Sequence, residues 1–283
     1  MRNRFSYEGK RCLVVGCYSG MGEATARVVR SLGGRVVAAD VKRPTTFEHE
    51  SFHELDLRDT RAIEPMVAAV AKDGPIDRLF YCAGLPGTKP KVDVMLVNFI
   101  GLRHAVETCA PHMPRDGAIA TVSSAGGMGY LGAMANILPL LATATPEEAR
   151  KWVEEHQQQP WLDGYAYSKM CTIVYTLRRG PVLTRDTGVR LNCISPGPTD
   201  TPMMPAFVEQ TSQAFMDAYP KPVGRNSTPE EQAWPLAFLN SDAASYVSGE
   251  NVYTDGGGAG GLMTGVLTVD LSGVQNAAKL VPE

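Results

Sequence analysis

Apolar and polar residues follow one another along this chain in two rhythms. Arg11-Cys-Leu-Val-Val-Gly16 and Arg35-Val-Val-Ala-Ala-Asp40 are short apolar runs closed by a glycine and a carboxylate, the pattern of strands buried on both faces. Between them, small and apolar residues recur at helical spacing from Gly22 to Leu32, until Gly33-Gly34 stops them. Further strands are predicted at Ser51–Leu57, Ile76–Cys82, Ala118–Val122, Val189–Ile194 and Asn251–Thr254. Helices are predicted at Thr60–Asp73, Asp93–His112, Tyr165–Asp186 and Glu230–Leu239. Such alternation implies an α/β protein: a single domain over residues 1–283, doubly wound on a parallel sheet of about seven strands.

Two segments break the rhythm. Between Ser124 and Tyr165 lie about forty residues where a compact unit needs only a short connection, so residues 131–163 are expected to form a structured insertion ahead of the next helix. Thr145-Pro-Glu-Glu148 sets a capping threonine before a proline at the first helical position, which predicts a helix to about Gln159. The second break, residues 198–229, is rich in Pro and Met and carries Phe207, Phe215, Met216 and Tyr219; it is expected to be a substrate-binding loop. The glycine-rich tail, residues 258–283, carries little signal.

Composition narrows the partners. With 27 basic against 30 acidic residues, nothing favours nucleic acid or an anionic membrane, and a small neutral ligand is the default. The six cysteines are scattered, without Cys-x-x-Cys or a histidine cluster, so they read as reduced thiols of a cytoplasmic protein rather than metal ligands. No signal-peptide pattern and no apolar stretch long enough to span a bilayer is present.

Gly16-Cys-Tyr-Ser-Gly20-Met-Gly22 joins the first strand to the first helix, the context in which a glycine-rich turn holds a phosphate. Glycines allow the tight turn and the close approach of a pyrophosphate, and the helix amino end supplies N–H donors. Its expected contacts are Gly16, Cys17, Ser19, Gly20, Met21 and Gly22, in a Rossmann-type dinucleotide site. Asp40 ends the second strand eighteen residues after Gly22, where a carboxylate can bond both adenosine ribose hydroxyls and repel a 2′-phosphate. This predicts NAD over NADP, although Lys42 and Arg43 stand close by.

Tyr165 and Lys169 lie four residues apart on one face of a predicted helix. A phenol with its ordinary pKa of about 10 is a poor base at neutral pH. An ammonium at about 4 Å, in a dielectric of about 20, is worth roughly 4 kcal/mol and could draw that pKa toward neutrality, as acid–base catalysis needs.

With Gly16-x3-Gly20-x-Gly22 upstream of Tyr165-x3-Lys169, the chain resembles the short-chain dehydrogenase/reductase family over roughly residues 8–257. Cys82-Ala-Gly84 resembles the family's Asn-Ala-Gly, Asn98 its Asn-x-x-Gly, Ser123-Ser124 the end of its fifth strand, and Pro196-Gly197 with Thr201 the stretch around the nicotinamide. Val15 and Cys82 depart from the usual threonine and asparagine, which removes hydrogen bonds expected to brace the loop and the fourth strand. The long interval before Tyr165 resembles the hydroxysteroid dehydrogenase/carbonyl reductase branch.

The resemblance implies a role for each position. Tyr165 would be the general base for an alcohol and the acid in reverse, Lys169 would lower its pKa and hold the nicotinamide ribose, Ser124 would bond the substrate oxygen, and Asn98 would anchor a water. Only one of Ser123 and Ser124 can face the site, because strand residues alternate. Asp56 and Leu57 would hold adenine, Cys82, Ala83 and Gly84 would line the ribose, and Pro196, Gly197, Thr199 and Thr201 would meet the nicotinamide end. Met128–Met134, the insertion and the loop after Pro196 would form apolar pocket walls. The expected activity is NAD(H)-dependent interconversion of a bulky apolar secondary alcohol, hydroxysteroid-like, and its ketone. An aryl or lignin-type alcohol and a non-catalytic nucleotide-binding sensor are the alternatives. The resemblance implies a homodimer or homotetramer assembled through helices flanking the active site, and the insertion, beside that surface, is expected to cap the pocket and block one of the usual interfaces, leaving a dimer.

Overall fold

The computed structural model describes residues 3–269. The final part of the expected tail, 270–283, lies outside the described residues. Seven strands form one sheet in the order β3-β2-β1-β4-β5-β6-β7, and every adjacent pair is parallel. They are β1 (Arg11–Val15), β2 (Arg35–Asp40), β3 (Ser51–Glu54), β4 (Arg78–Tyr81), β5 (Ala118–Val122), β6 (Arg190–Pro196) and β7 (Asn251–Thr254).

The strand period of two divides the core. Cys12, Val14, Val36, Ala38, Phe80 and Ala120 face α1 (Gly20–Ser31) and α10 (Pro229–Asn240). Leu13, Val15, Val37, Leu79 and Ile119 face the opposite layer. That layer contains α2 (Ile63–Lys72), α3 (Lys91–Met95), α4 (Gly101–Cys109) and α7 (Tyr165–Thr187). Burial on both faces explains why the central strands read as unbroken apolar runs. β3, the edge strand, has no fully buried residue and ends at Glu54, before the predicted Leu57.

The helix expected over Asp93–His112 is interrupted by a π-helical turn at Leu96–Ile100, which puts Asn98 on an irregular backbone. The insertion holds two helices, where one was expected. α6 (Pro146–His156) begins as predicted: the Thr145 hydroxyl accepts the Glu148 N–H at 3.1 Å. The Glu148 carboxylate reaches back to the Ala144 N–H at 2.7 Å. α5 (Met134–Leu141) was not predicted, because Pro139 and an almost wholly apolar sequence hide its period. The buried Arg103 guanidinium of α4 donates to the Leu140 carbonyl and the Thr143 hydroxyl, tying the end of α5 to the domain.

The second irregular segment contains α8 (Met204–Gln210) and α9 (Gln213–Ala218), neither with a fully buried residue. Ser212, between them, is the one non-glycine with positive φ (149°) among the described residues. α11 (Gly258–Met263) opens the tail; the Asp255 carboxylate accepts the backbone N–H groups of Gly257 and Ala259.

Candidate active site

The glycine loop is shaped by contacts that exclude side chains. A Cβ on Gly16 (φ 81°) would stand 2.3 Å from the Ala83 nitrogen, and one on Gly22 would stand 1.9 Å from the Gly16 carbonyl oxygen. The start of α1 is thereby pulled onto the ends of β1 and β4. Ser19 occupies the N-cap without any side chain capping the first turn, so the amino end of α1 faces the loop uncapped. Gly20 (φ 59°) lies under the Thr201 methyl, 3.5 Å from where its Cβ would be. This uncapped helix end, walled by glycine, fits a dinucleotide pyrophosphate.

Asp40 stands beside the loop. One carboxylate oxygen accepts the Tyr18 N–H at 2.8 Å, and the other is 3.4 Å from the Lys42 nitrogen, which leaves acceptor capacity for ribose hydroxyls. The neighbouring cations are held on aromatic faces: Lys42 lies 5.5 Å from the Tyr18 ring centroid and Arg43 4.7 Å from that of Phe52. The Cys17 side chain is wholly buried behind the loop, and burial pushes its thiol up to about 12, so only its backbone faces a ligand. Leu57 packs in the core, while the Asp56 carboxylate is gripped by Arg58. At the departures from the family pattern, the Cys82 N–H bonds the Val15 carbonyl at 2.8 Å and its sulfur lies 3.9 Å from the Thr25 hydroxyl.

Lys169, buried to 3% exposure, donates to the Val122 carbonyl at 2.9 Å, and its ammonium sits 5.5 Å from the Tyr165 ring centroid. Gly84 borders it, with the ammonium 3.9 Å and the Asn98 side-chain oxygen 3.6 Å from where a Cβ would stand, both ordinary contacts. The two strand-end serines part as alternation requires. Ser123 is buried and donates to the Lys169 carbonyl at 2.8 Å, fixing the catalytic helix. Ser124 turns the other way, accepts the Gly126 N–H at 3.1 Å and lies beside the Tyr165 phenol, whose pKa it lowers.

The pKa expectation is overturned. Burial pushes Tyr165 up to about 12, against a smaller opposing pull from the nearby Ser124 hydroxyl. Burial also drives Lys169 down to about 8. The reason is desolvation, which disfavours the phenolate of the half-buried Tyr165 and the ammonium of the buried Lys169 alike.

Asn98 is fully buried and its amide is committed within the protein: it bonds both backbone groups of Leu85, at 2.7 and 3.0 Å, and the Ser168 hydroxyl at 3.1 Å. Ser168 in turn donates to the Tyr165 carbonyl at 2.6 Å. Asn98 and Ser168 therefore brace the loop after β4 against the first turn of α7. Sequence reasoning missed Ser168, although it sits inside Tyr165-Ala-Tyr-Ser-Lys169. On the far side, Pro196 and Gly197 end β6, and a Cβ on Gly197 would press on Asp255 at 2.8 Å. The Thr199 hydroxyl donates to the Gly197 carbonyl at 3.0 Å and meets Ser227 at 2.9 Å, while Thr201 accepts the Met203 N–H at 3.3 Å.

α8 lies over Tyr165. Phe207 stands edge-to-face on Tyr165, with ring centroids 5.0 Å apart. Gln210 lies directly on Gly87, where a Cβ would meet its amide oxygen at 2.4 Å. The aromatic residues of the insertion are turned inward instead. Trp161 lies 5.2 Å from the Tyr167 ring and 5.9 Å from Trp152, and the Tyr167 hydroxyl bonds the Asn136 carbonyl at 2.8 Å. A surface hollow of about 640 Å³ at the β2–β3 edge, lined by Arg30, Arg35, Phe47 and Glu50 among others, contains none of the site residues.

The chain matches the family described as "short chain dehydrogenase" over residues 10–135 and that described as "Enoyl-(Acyl carrier protein) reductase" over residues 155–258. Most of the insertion falls between the two. It is 34% identical over 255 residues to the 3-alpha-hydroxysteroid dehydrogenase/carbonyl reductase of Comamonas testosteroni, covering 87% of this chain and 95% of that one. It is 30% identical over 248 residues to the coniferyl-alcohol dehydrogenase of Pseudomonas sp. strain HR199, covering 88% and 96%. Among solved structures, the 3-alpha-hydroxysteroid dehydrogenase of Pseudomonas sp. B-0831 complexed with NADH superposes with a TM-score of 0.77 at 26% identity, covering 92% of this chain and all of that one.

Proposed function

The chain belongs to the short-chain dehydrogenase/reductase family, and from that premise we propose that it interconverts a bulky apolar secondary alcohol and its ketone, with Tyr165 moving the proton. It is an NAD-dependent oxidoreductase of the alcohol dehydrogenase and ketone reductase type. The observation that carries the proposal is the convergence of Ser124, Tyr165 and Lys169 at the end of β5, beside the uncapped amino end of α1 and beneath Phe207.

NAD, when bound, supplies the hydride acceptor for alcohol oxidation and, as NADH, the donor for ketone reduction. The amino end of α1, with Gly16, Gly20 and Gly22, would hold its pyrophosphate, and Asp40 its adenosine ribose. Lys169 keeps two ammonium protons free beyond its bond to Val122, enough to bond the nicotinamide ribose. Thr199, Thr201 and the Pro196-Gly197 backbone border the nicotinamide end.

Ser124 holds the substrate oxygen by a hydrogen bond and fixes it against Tyr165. In reduction the phenol gives its proton to that oxygen; in oxidation the phenolate takes it back. Lys169, still charged below about pH 8, stabilises the phenolate once the proton has gone.

The apolar character of the segment around Phe207 supports a hydroxysteroid-like ring system, in line with the relative from Comamonas testosteroni. The relative acting on coniferyl alcohol supports an aryl alcohol as the second reading. A binding module without turnover is disfavoured because Ser124, Tyr165, Lys169 and Asn98 are all in place. The test is NADH formation across hydroxysteroid-type secondary alcohols and aryl alcohols, coniferyl alcohol included, with NADP in parallel, for the parent and for Tyr165→Phe. Turnover in the variant should fall by at least about a hundredfold with NADH affinity nearly unchanged. Near-normal turnover would remove Tyr165 from its role, and tighter use of NADPH would overturn the reading of Asp40.

A further inference from the structure

The loop from Pro198 to Pro229 is tied at its base, where Ser227 bonds Pro198, Thr199 and Asp200, and one side chain further along it lies on the proton-transfer group. Phe207 is held edge-to-face on Tyr165 at 5.0 Å between centroids, with the planes at 73°. This is the separation and tilt at which an aromatic pair is attractive. α8, which carries it, has no buried residue, so its position depends on what the helix touches rather than on a core of its own. Elsewhere in this segment Gln210 meets the backbone of Gly87, and Thr201, upstream, rests its methyl over Gly20. The insertion does not compete for the place, because Trp152 and Trp161 are packed on Tyr167.

A carbon whose oxygen is to bond both Ser124 and Tyr165 must approach the tyrosine hydroxyl, and what that carbon bears must lie along the tyrosine ring beside Phe207. We propose that Phe207 is the specificity-determining residue of this site: with Tyr165 it forms an aromatic slot that favours a secondary alcohol bearing a ring next to the reacting carbon over an open-chain one. This rests on the oxidoreductase reading above and narrows its substrate class. A flat or chair-shaped ring exchanges one face contact with Phe207 for another as it enters, whereas a flexible chain gives up rotational freedom and covers less of the exposed aromatic edge.

The experiment compares three alcohols of equal carbon number, 1-phenylethanol, 1-cyclohexylethanol and octan-2-ol, with the full-length protein and NAD. Parent, Phe207→Ala and Phe207→Tyr are measured for kcat and KM separately. The expected result is that Phe207→Ala lowers kcat/KM for the two ring-bearing alcohols by up to about tenfold, the worth of one aromatic contact, while octan-2-ol changes by less than about twofold. Phe207→Tyr, which keeps the ring, should retain the parent's preference. An equal loss on all three alcohols would show that the residue only holds α8 in place, and unchanged ratios would show that it does not face substrate; either overturns the inference and leaves the oxidoreductase reading intact. A parent that oxidises a hydroxysteroid but neither of these ring-bearing alcohols would overturn the inference alone, whereas NADH binding with no turnover of any of these alcohols would remove the proposed substrate class with it.

Discussion

Two helices border the same cleft and are built in opposite ways. α1, at the nucleotide end, buries Gly22, Ala24, Thr25, Ala26, Val28 and Val29 against the sheet and α10, and its first turn is set by contacts that admit no Cβ. α8, at the substrate end, buries nothing completely and leans on Tyr165 through one aromatic ring. Each fully buried valine is worth about 1.5–3 kcal/mol, so α1 is anchored by several kcal/mol that α8 does not have. The difference matches the tasks. A cofactor of constant shape suits a preformed cradle, whereas a substrate must pass a cover that can move aside at small cost.

The largest effect is expected where the packing is tightest. Gly22→Ala forces a methyl group onto the Gly16 carbonyl and must displace the start of α1. NADH titrated by fluorescence should bind about tenfold to a hundredfold more weakly, the equivalent of roughly 1–3 kcal/mol of overpacking. Parent-like affinity would mean that the loop is as yielding as α8, and the contrast would collapse.

A smaller effect belongs to the seam between the two regions, where Lys169 sits. Burial lowers its pKa to about 8, so the ammonium is charged below that pH and neutral above it. Its support for the developing phenolate should therefore be present at neutral pH and lost as the pH rises. The kcat/KM of ketone reduction should be level below about pH 8 and decline above it, by up to about tenfold per pH unit. A profile still level at about pH 10, near the ordinary lysine value, would show that Lys169 is not the group being read.

The smallest effect concerns the cover itself. Ser212, at φ 149° and ψ 162°, holds a conformation that only glycine adopts freely, while its hydroxyl caps α9 through the Phe215 N–H at 3.1 Å. The strain is worth about 1–3 kcal/mol and the cap only a few tenths when glycine replaces serine. Ser212→Gly should thus stabilise the fold by about 1 kcal/mol, read from the denaturant midpoint. A loss of that size would assign more to the cap than to the backbone strain.

The strand and helix order, the parallel sheet and the glycine loop could be read from the chain because each depends on local pattern: a period of two or of 3.6, a glycine where a turn has no room, a proline and a threonine where a helix begins. Arg11–Val15, Ala118–Val122 and Thr145-Pro146 fall where the pattern puts them for that reason. Strand alternation allowed only one of Ser123 and Ser124 to face the site and the family resemblance picked Ser124; in the structure Ser123 is turned onto the Lys169 carbonyl. Other features arise between residues far apart in the chain: α5 held by Arg103, Ser168 joining Asn98 to Tyr165, and Phe207 set upon Tyr165 from about forty residues downstream. Burial is likewise collective. Sequence spacing put an ammonium near a phenol and implied a lowered phenol pKa, but the enclosing protein removed water from both and reversed the sign. Local backbone requirements are written residue by residue, whereas packing and desolvation exist only once distant segments have met.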